Sequence, residues 1–200
     1  MKLIEKGFIN RNKKVILIAV IIMLLSAVAG AGMAYMKADG NYNIISKELS
    51  SQEIKNTQPS NNTDTGMSAI GYFIHNTIAD LFVIIGGIFF SIISVILVIF
   101  NGITIGGLFG MDLPYAMTSI LPHGIIEYFA GALALAIAFK ITQLEIKMIK
   151  NRSFKSTLND NETFLKDILV ILIVMLVLLA IAGIIEAHIT PMVVKGYFGI

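Results

Sequence analysis

Long apolar blocks, rather than one-sided stripes, organise this chain. Residues 15–36, VILIAVIIMLLSAVAGAGMAYM, contain no charge, and as a helix they extend roughly 33 Å, enough for the ~30 Å hydrocarbon layer of a bilayer. Between Met67 and Met111 the single charge is Asp80, and further apolar blocks run from Leu121 to Phe139 and from Phe164 to Ile189. Blocks that are apolar all round cannot be the one buried face of a soluble helix, so they read as membrane spans. The pattern predicts an all-α, polytopic transmembrane helical bundle of about five spans.

Basic residues orient those spans. Lys2, Lys6, Arg11, Lys13 and Lys14 precede the first block and place the N-terminus inside. The basic stretch from Lys140 to Lys166, with Lys147, Lys150, Arg152 and Lys155, belongs on the same side. The chain then divides into a cytoplasmic basic N-terminus at 1–14, a first transmembrane helix at 15–36, an extracytoplasmic polar loop at 37–66 and a transmembrane helical core at 67–200, with the C-terminus outside. The small residues AVAGA would also suit a signal peptidase. The apolar stretch runs on to Met36, however, past the ~7–15 residues of a signal core, which favours a retained span. In the polar loop, Asn61–Thr63 reads NNT, a glycosylation acceptor pattern that chance also produces; a plain hydrophilic connector is the simpler reading. Segment 67–111 must cross an even number of times to leave Pro122 outside. Gly86 and Gly87 divide it into two halves of span length, since glycine permits a tight turn, and a re-entrant hairpin is the competing arrangement.

Composition sharpens this picture and removes several chemistries. Hydrophobic residues make up 56% of the 200 and charged residues 14%, and mean hydropathy is +0.82, far from the balance of a soluble domain. With no cysteine there are no disulfides, thiolate metal sites or cysteine nucleophiles. A net charge of +2, thinly spread, gives no basis for nucleic-acid binding. The expected surroundings are the lipid bilayer of the cell membrane and other membrane or envelope proteins, with a homo-oligomer as a further arrangement.

Polar residues inside apolar blocks are the functional candidates, because a charge at the bilayer centre costs about 2.5–3.5 kcal/mol on insertion scales. They are His75, Asn76 and Asp80 in the second span, Asn101 and Thr104 in the third, His123 and Glu127 in the fourth, and Glu186, His188 and Thr190 at the end of the fifth. His123 and Glu127 are four apart and stack on one helical face, as do Asn76 with Asp80 and Glu186 with Thr190. Pro122 suits the first turn of a helix, which puts His123 and Glu127 at its mouth. There the helix dipole alone would favour Glu127 and water alone would satisfy His123. Under the topology above, all four groups lie toward the outer leaflet and can converge into one polar cluster.

The spacing carries no HExxH pair and no two histidines at helical distance, so no metal or other cofactor is expected from it. No hydroxyl is paired with a base and an oxyanion donor, so no catalytic residue is assigned. Gly102, Gly106 and Gly110 recur every four residues in NGITIGGLFG, which exposes backbone on one side of that helix for close packing; Gly107 and Gly124 are further packing candidates. A dimer seam, or a helix break that offers carbonyls to a ligand, are the alternatives.

Several of these runs together resemble the stage II sporulation protein M family of integral membrane proteins. The resemblance lies in HN at His75 and Asn76, NGITIGG from Asn101 to Gly107, LPHGIIE from Leu121 to Glu127, and IIEAHITP from Ile184 to Pro191. It implies a five-span membrane protein acting beside peptidoglycan-degrading partners in engulfment, and it implies no catalytic role for Asn76, Asn101, Gly102, Gly107, His123, Gly124, Glu127, Glu186 or Pro191. The expected function is a non-enzymatic membrane scaffold or component of an envelope-remodelling complex. The alternative is a transport or permease subunit with a polar intramembrane site, driven by a partner ATPase or an ion gradient because the chain has no nucleotide-binding loop. An intramembrane hydrolase built on His123 and Glu127 is the third reading.

Overall fold

The computed structural model describes residues 5–38 and 67–199. The extracytoplasmic loop expected at 37–66, with its Asn61–Thr63 triplet, lies almost wholly outside the described residues. Among the described residues five helices are long and apolar enough to cross a membrane, Phe8–Lys37, Ala69–Phe89, Ile92–Met111, Leu121–Asn151 and Glu162–Phe198, in agreement with the expected count. The architecture is an all-helical bundle, with no strand among the described residues.

Helix α1 (Phe8–Ala38) begins earlier than the apolar block, because lysine and arginine are good helix formers and carry the helix beyond the hydrocarbon layer. Helix α2 (Ala69–Ile85) is capped by Ser68, whose hydroxyl accepts from the Gly71 amide at 3.1 Å. After a tight turn, α3 (Ile92–Met111) leads to a short α4 (Leu113–Ser119), capped by the Asp112 carboxylate. Helix α5 (Leu121–Asn151) has Pro122 in its first turn, as expected. A short α6 (Phe154–Asn159) precedes α7 (Glu162–Ile184), which passes through a π-helical turn (Ile185–Ile189) into α8 (Thr190–Phe198).

The central element is α5. Every residue of its AGALALAIA run, Ala130–Ala138, is buried. Alanine and glycine keep its girth small, so neighbouring helices approach on all sides, and Leu133, Leu135 and Ile137 fill the gaps. The basic stretch expected as a loop from Lys140 to Lys166 is mostly helical instead. Helix α5 continues to Asn151 and ends at Arg152 in a left-handed conformation.

The glycine repeat of α3 packs within the molecule. A Cβ on Gly106 would overlap the Ala27 backbone, one on Gly110 would meet Ala31 and Ala34, and one on Gly102 would collide with Ser26. In return, Gly30 of α1 sits against the Ile103 backbone. Small residues on both helices thus bring α1 and α3 into backbone contact, which gains dispersion energy that lipid cannot supply. Gly107 and Gly124 depart from expectation. A Cβ on Gly107 would meet nothing within 4 Å, because it lies about 100° round its helix from the packed face, and one on Gly124 would meet only Ile120, because Gly124 lines an apolar groove with Ala27, Ala31 and Ile105.

Gly86 and Gly87 also act differently from a flexible turn. Gly86 is right-handed, and the left-handed residues that reverse the chain are Phe90 (φ 51°) and Ser91 (φ 58°). The glycines serve close approach: a Cβ on Gly87 would sit 2.8 Å from the Ala138 Cα, and one on Gly86 2.7 Å from the Ser94 hydroxyl. Hydrogen bonds from Ser94 to the Val83 carbonyl (2.6 Å) and between Ser91 and Thr142 (2.7 Å) close the turn onto itself and onto α5.

The first turns of α1 and α7 are joined to α5 at Lys140 by a charged lock. The Arg11 guanidinium donates two bonds to the Asp167 carboxylate, at 2.9 and 2.8 Å. Lys140, 2% exposed, donates to the Asn12 side chain at 2.6 Å, lies 3.8 Å from Asp167 and rests over the Phe164 ring. Asp167 is equally buried.

Two predictions follow from this packing. Gly106→Ala should destabilise the protein by about 1–3 kcal/mol through overpacking, whereas Gly107→Ala should be neutral or stabilise by up to about 1 kcal/mol; thermal unfolding in detergent distinguishes them. Asp167→Ala strands the buried Lys140 and should cost about 3–5 kcal/mol, read by the same method.

Candidate functional site

At the other end of α5, a polar cluster draws on three helices. His123 opens the helix, is 8% exposed, and uses both ring nitrogens toward the end of the fifth span. Nδ1 lies 3.0 Å from the Thr190 hydroxyl, and Nε2 lies 3.8 Å from Glu186 Oε1. One turn on, Glu127 accepts a hydrogen bond from the Asn76 side-chain amide of α2. Asn76 Oδ1 is in turn 3.1 Å from Nδ1 of His75. Single ligand-type atoms of His123, Glu127 and Glu186 all lie within 4.8 Å of one another.

Local chemistry explains how the fifth span delivers two of these groups. Pro191 has no N–H, and its ring crowds the carbonyl four residues before it, so an α-helix cannot continue unchanged through this point. The backbone widens into the π turn at Ile185–Ile189, and both Glu186 and Thr190 face His123. Gly183, one turn earlier, lets α7 approach α2 closely: a Cβ there would lie 2.8 Å from the Ala69 carbonyl oxygen.

The remaining expected residues are distributed unevenly. Asp80 turns toward α5, where a Cβ on Gly131 would sit 3.6 Å from its Oδ1; its Oδ2 is buried without a hydrogen-bond partner among the described residues. Thr77 Oγ1 and Glu186 Oε2 are in the same condition. His75 is exposed and lies at the cluster's edge, in contact with Asn76, and His188 is exposed as well.

Asn101 does not join the cluster. It lies midway along α3 on an exposed face, with Thr104 beside it bonded to its own helix at the Phe100 carbonyl (2.9 Å). The cause is the glycine face. Gly102 must point at α1, and each residue turns the helix by about 100°, so Asn101 is carried away from the interior. The cluster therefore spans three helices, not four.

Sequence reading missed the Arg11, Lys140 and Asp167 lock. Its signal was present in Asp167, a lone acid heading the apolar run of the fifth span, and in Lys140, a lone base within the AFKIT stretch of the fourth. Lys140 falls in the stretch expected as a basic loop and Asp167 within the expected fifth span, and the apolar blocks alone do not pair the two.

Comparison with known proteins places the chain among membrane proteins. The family model described as stage II sporulation protein M matches residues 19–191. An uncharacterized protein of Methanocaldococcus jannaschii is 31% identical over 112 residues, which cover 53% of this chain and 61% of the relative. The chain thus matches about three-fifths of that relative's length. No solved structure matches.

If Asn76 holds Glu127 while Asn101 faces outward, alanine at the two positions should act differently. Asn76→Ala should lower stability by about 1–3 kcal/mol by leaving a buried acceptor unpaired, and Asn101→Ala should change it by less than about 0.5 kcal/mol. Unfolding midpoints in the same detergent provide the comparison.

Proposed function

The chain belongs to the stage II sporulation protein M family, and from that membership we propose that it works as a non-enzymatic scaffold of the cell membrane, seating envelope-remodelling proteins against its lateral surface. The observation that carries this reading is Asn101. A side-chain amide midway along a 20-residue span, about 15 Å from either end, is too deep for water to satisfy. It is exposed on the bundle's flank, with exposed Thr104 and the bare backbone of Gly107 at helical spacing along the same side. An amide, a hydroxyl and a glycine offered together suit a partner helix, which can approach closely and hydrogen-bond across the contact.

The interior supports the same conclusion. Polar groups at both ends of α5 mostly bond to one another and tie helices together. That arrangement holds a platform rigid, whereas a transport subunit needs a path whose walls part.

The test is affinity purification of wild-type and Asn101→Leu/Gly107→Leu protein from native membranes, with flux measured in liposomes containing the pure wild-type protein. Envelope proteins should accompany the wild type in stoichiometric amounts and fall at least tenfold with the double variant, at unchanged protein level. Solute movement through the pure protein, abolished by Glu127→Gln, would overturn the scaffold in favour of transport.

A further inference from the structure

We propose that His123, Glu127 and Glu186 form a binding site for a divalent transition-metal ion of the zinc type, which staples α5 to the π turn. The spacing along the chain gives only half of it: His123 and Glu127 stack one turn apart on α5, whereas Glu186 comes from some 60 residues further along and is brought in by the fold. In space they form a compact set, one nitrogen and two carboxylate oxygens within 4.8 Å of one another. Zinc holds such atoms at about 2.0–2.2 Å, which sets ligand atoms roughly 3.4 Å apart in a tetrahedron. Small side-chain rotations of the two glutamates close that difference.

Three features of the geometry favour an ion among these groups. The first is an incomplete pair. His123 Nε2 and Glu186 Oε1 face each other at 3.8 Å, too far for a hydrogen bond, while Glu186 Oε2 is buried with no donor among the described residues and the Glu186 carboxyl lies against that of Glu127. The second is the orienting shell. Thr190 engages His123 at Nδ1, which leaves Nε2 for a ligand, and Asn76 engages one oxygen of Glu127. Metal-binding histidines and carboxylates are characteristically fixed by such neighbours. The third is charge: two carboxylates facing each other in an apolar bundle repel, and one divalent cation neutralises both.

Donor type narrows the ion. Imidazole with carboxylate suits zinc and its neighbours better than magnesium or calcium, which prefer oxygen alone. Three protein ligands leave a fourth position for water. A π turn is itself a frequent companion of functional sites, and here Pro191 builds one at the point where Glu186 must face His123.

The experiment uses the full chain in detergent, stripped with chelator, reloaded with zinc or cobalt(II) and passed through gel filtration. The wild type should retain about one ion per chain. Its thermal midpoint should rise on loading, and its cobalt form should show the intense visible bands of tetrahedral coordination. His123→Ala and Glu127→Gln/Glu186→Gln should lose the ion, Asn76→Ala should weaken binding about tenfold or more, and His188→Ala, an exposed histidine on the same turn, should keep it. A folded wild-type protein that retains no zinc and shows no cobalt bands would overturn the proposal without reference to any variant, since the acids would then be neutralised by protons. Equal retention by the wild type and the double glutamine variant would overturn it as well.

Discussion

A charged or hydrogen-bonding group inside an apolar bundle is costly without a partner, and α5 gathers such groups into two clusters on either side of its apolar middle. On one side Lys140 stands with Asn12, Asp167 and Arg11, which brings in α1 and α7. On the other, His123 and Glu127 draw in α2 and the π turn. Between them the Ala130–Ala138 run has no polar side chain, and its small residues allow close packing. Lipid offers no hydrophobic gain for bringing helices together, so association relies on such packing and on the polar locks. Losing one lock partner strands the other in a medium where a bare charge is costly, which gives each contact more weight than its length suggests.

Helix order around α5 follows from these contacts. The backbone contact between α1 and α3 depends on glycine and alanine facing one another, with Gly106 against Ala27 and Gly30 against Ile103. Tyr128 of α5 adds a hydrogen bond to the Met23 carbonyl, so α1 is held from two sides. The turn between α2 and α3 presses Gly87 on Ala138, which brings the hairpin against α5 beside the charged lock. Only small residues permit these distances, which is why glycine recurs here in helices rather than in loops.

Much of this was legible along the chain, for identifiable reasons. Spans are read from the length of apolar blocks, and the bilayer imposes that length directly. The meeting of His123 with Glu186 and Thr190 was foreseeable because ionisable residues in spans seek one another and their depth follows from topology. Asn101 was misplaced because depth alone does not specify which way a helix turns; its orientation is decided by the neighbouring glycine face and the small residues of α1. Lys140 and Asp167 escaped notice because apolar composition marks the membrane and not the ends of helices, which here continue past it. The role of Gly86 and Gly87 was misjudged because flexibility and smallness are both properties of glycine, and only the fold tells which is in use.

The interior and the flank of the bundle therefore have distinct chemistries: one gathers its polar groups into two clusters that tie helices together, the other presents Asn101 and Thr104 outward. The claim on which this division rests is that His123 and Glu127 find their partners within the chain. Magic-angle-spinning NMR of labelled protein in a bilayer measures it directly. Through-space correlations should link the His123 ring to Glu186 and the Asn76 side-chain nitrogen to the Glu127 carboxyl carbon. Correlations of His123 and Glu127 with water or lipid headgroups alone would contradict it.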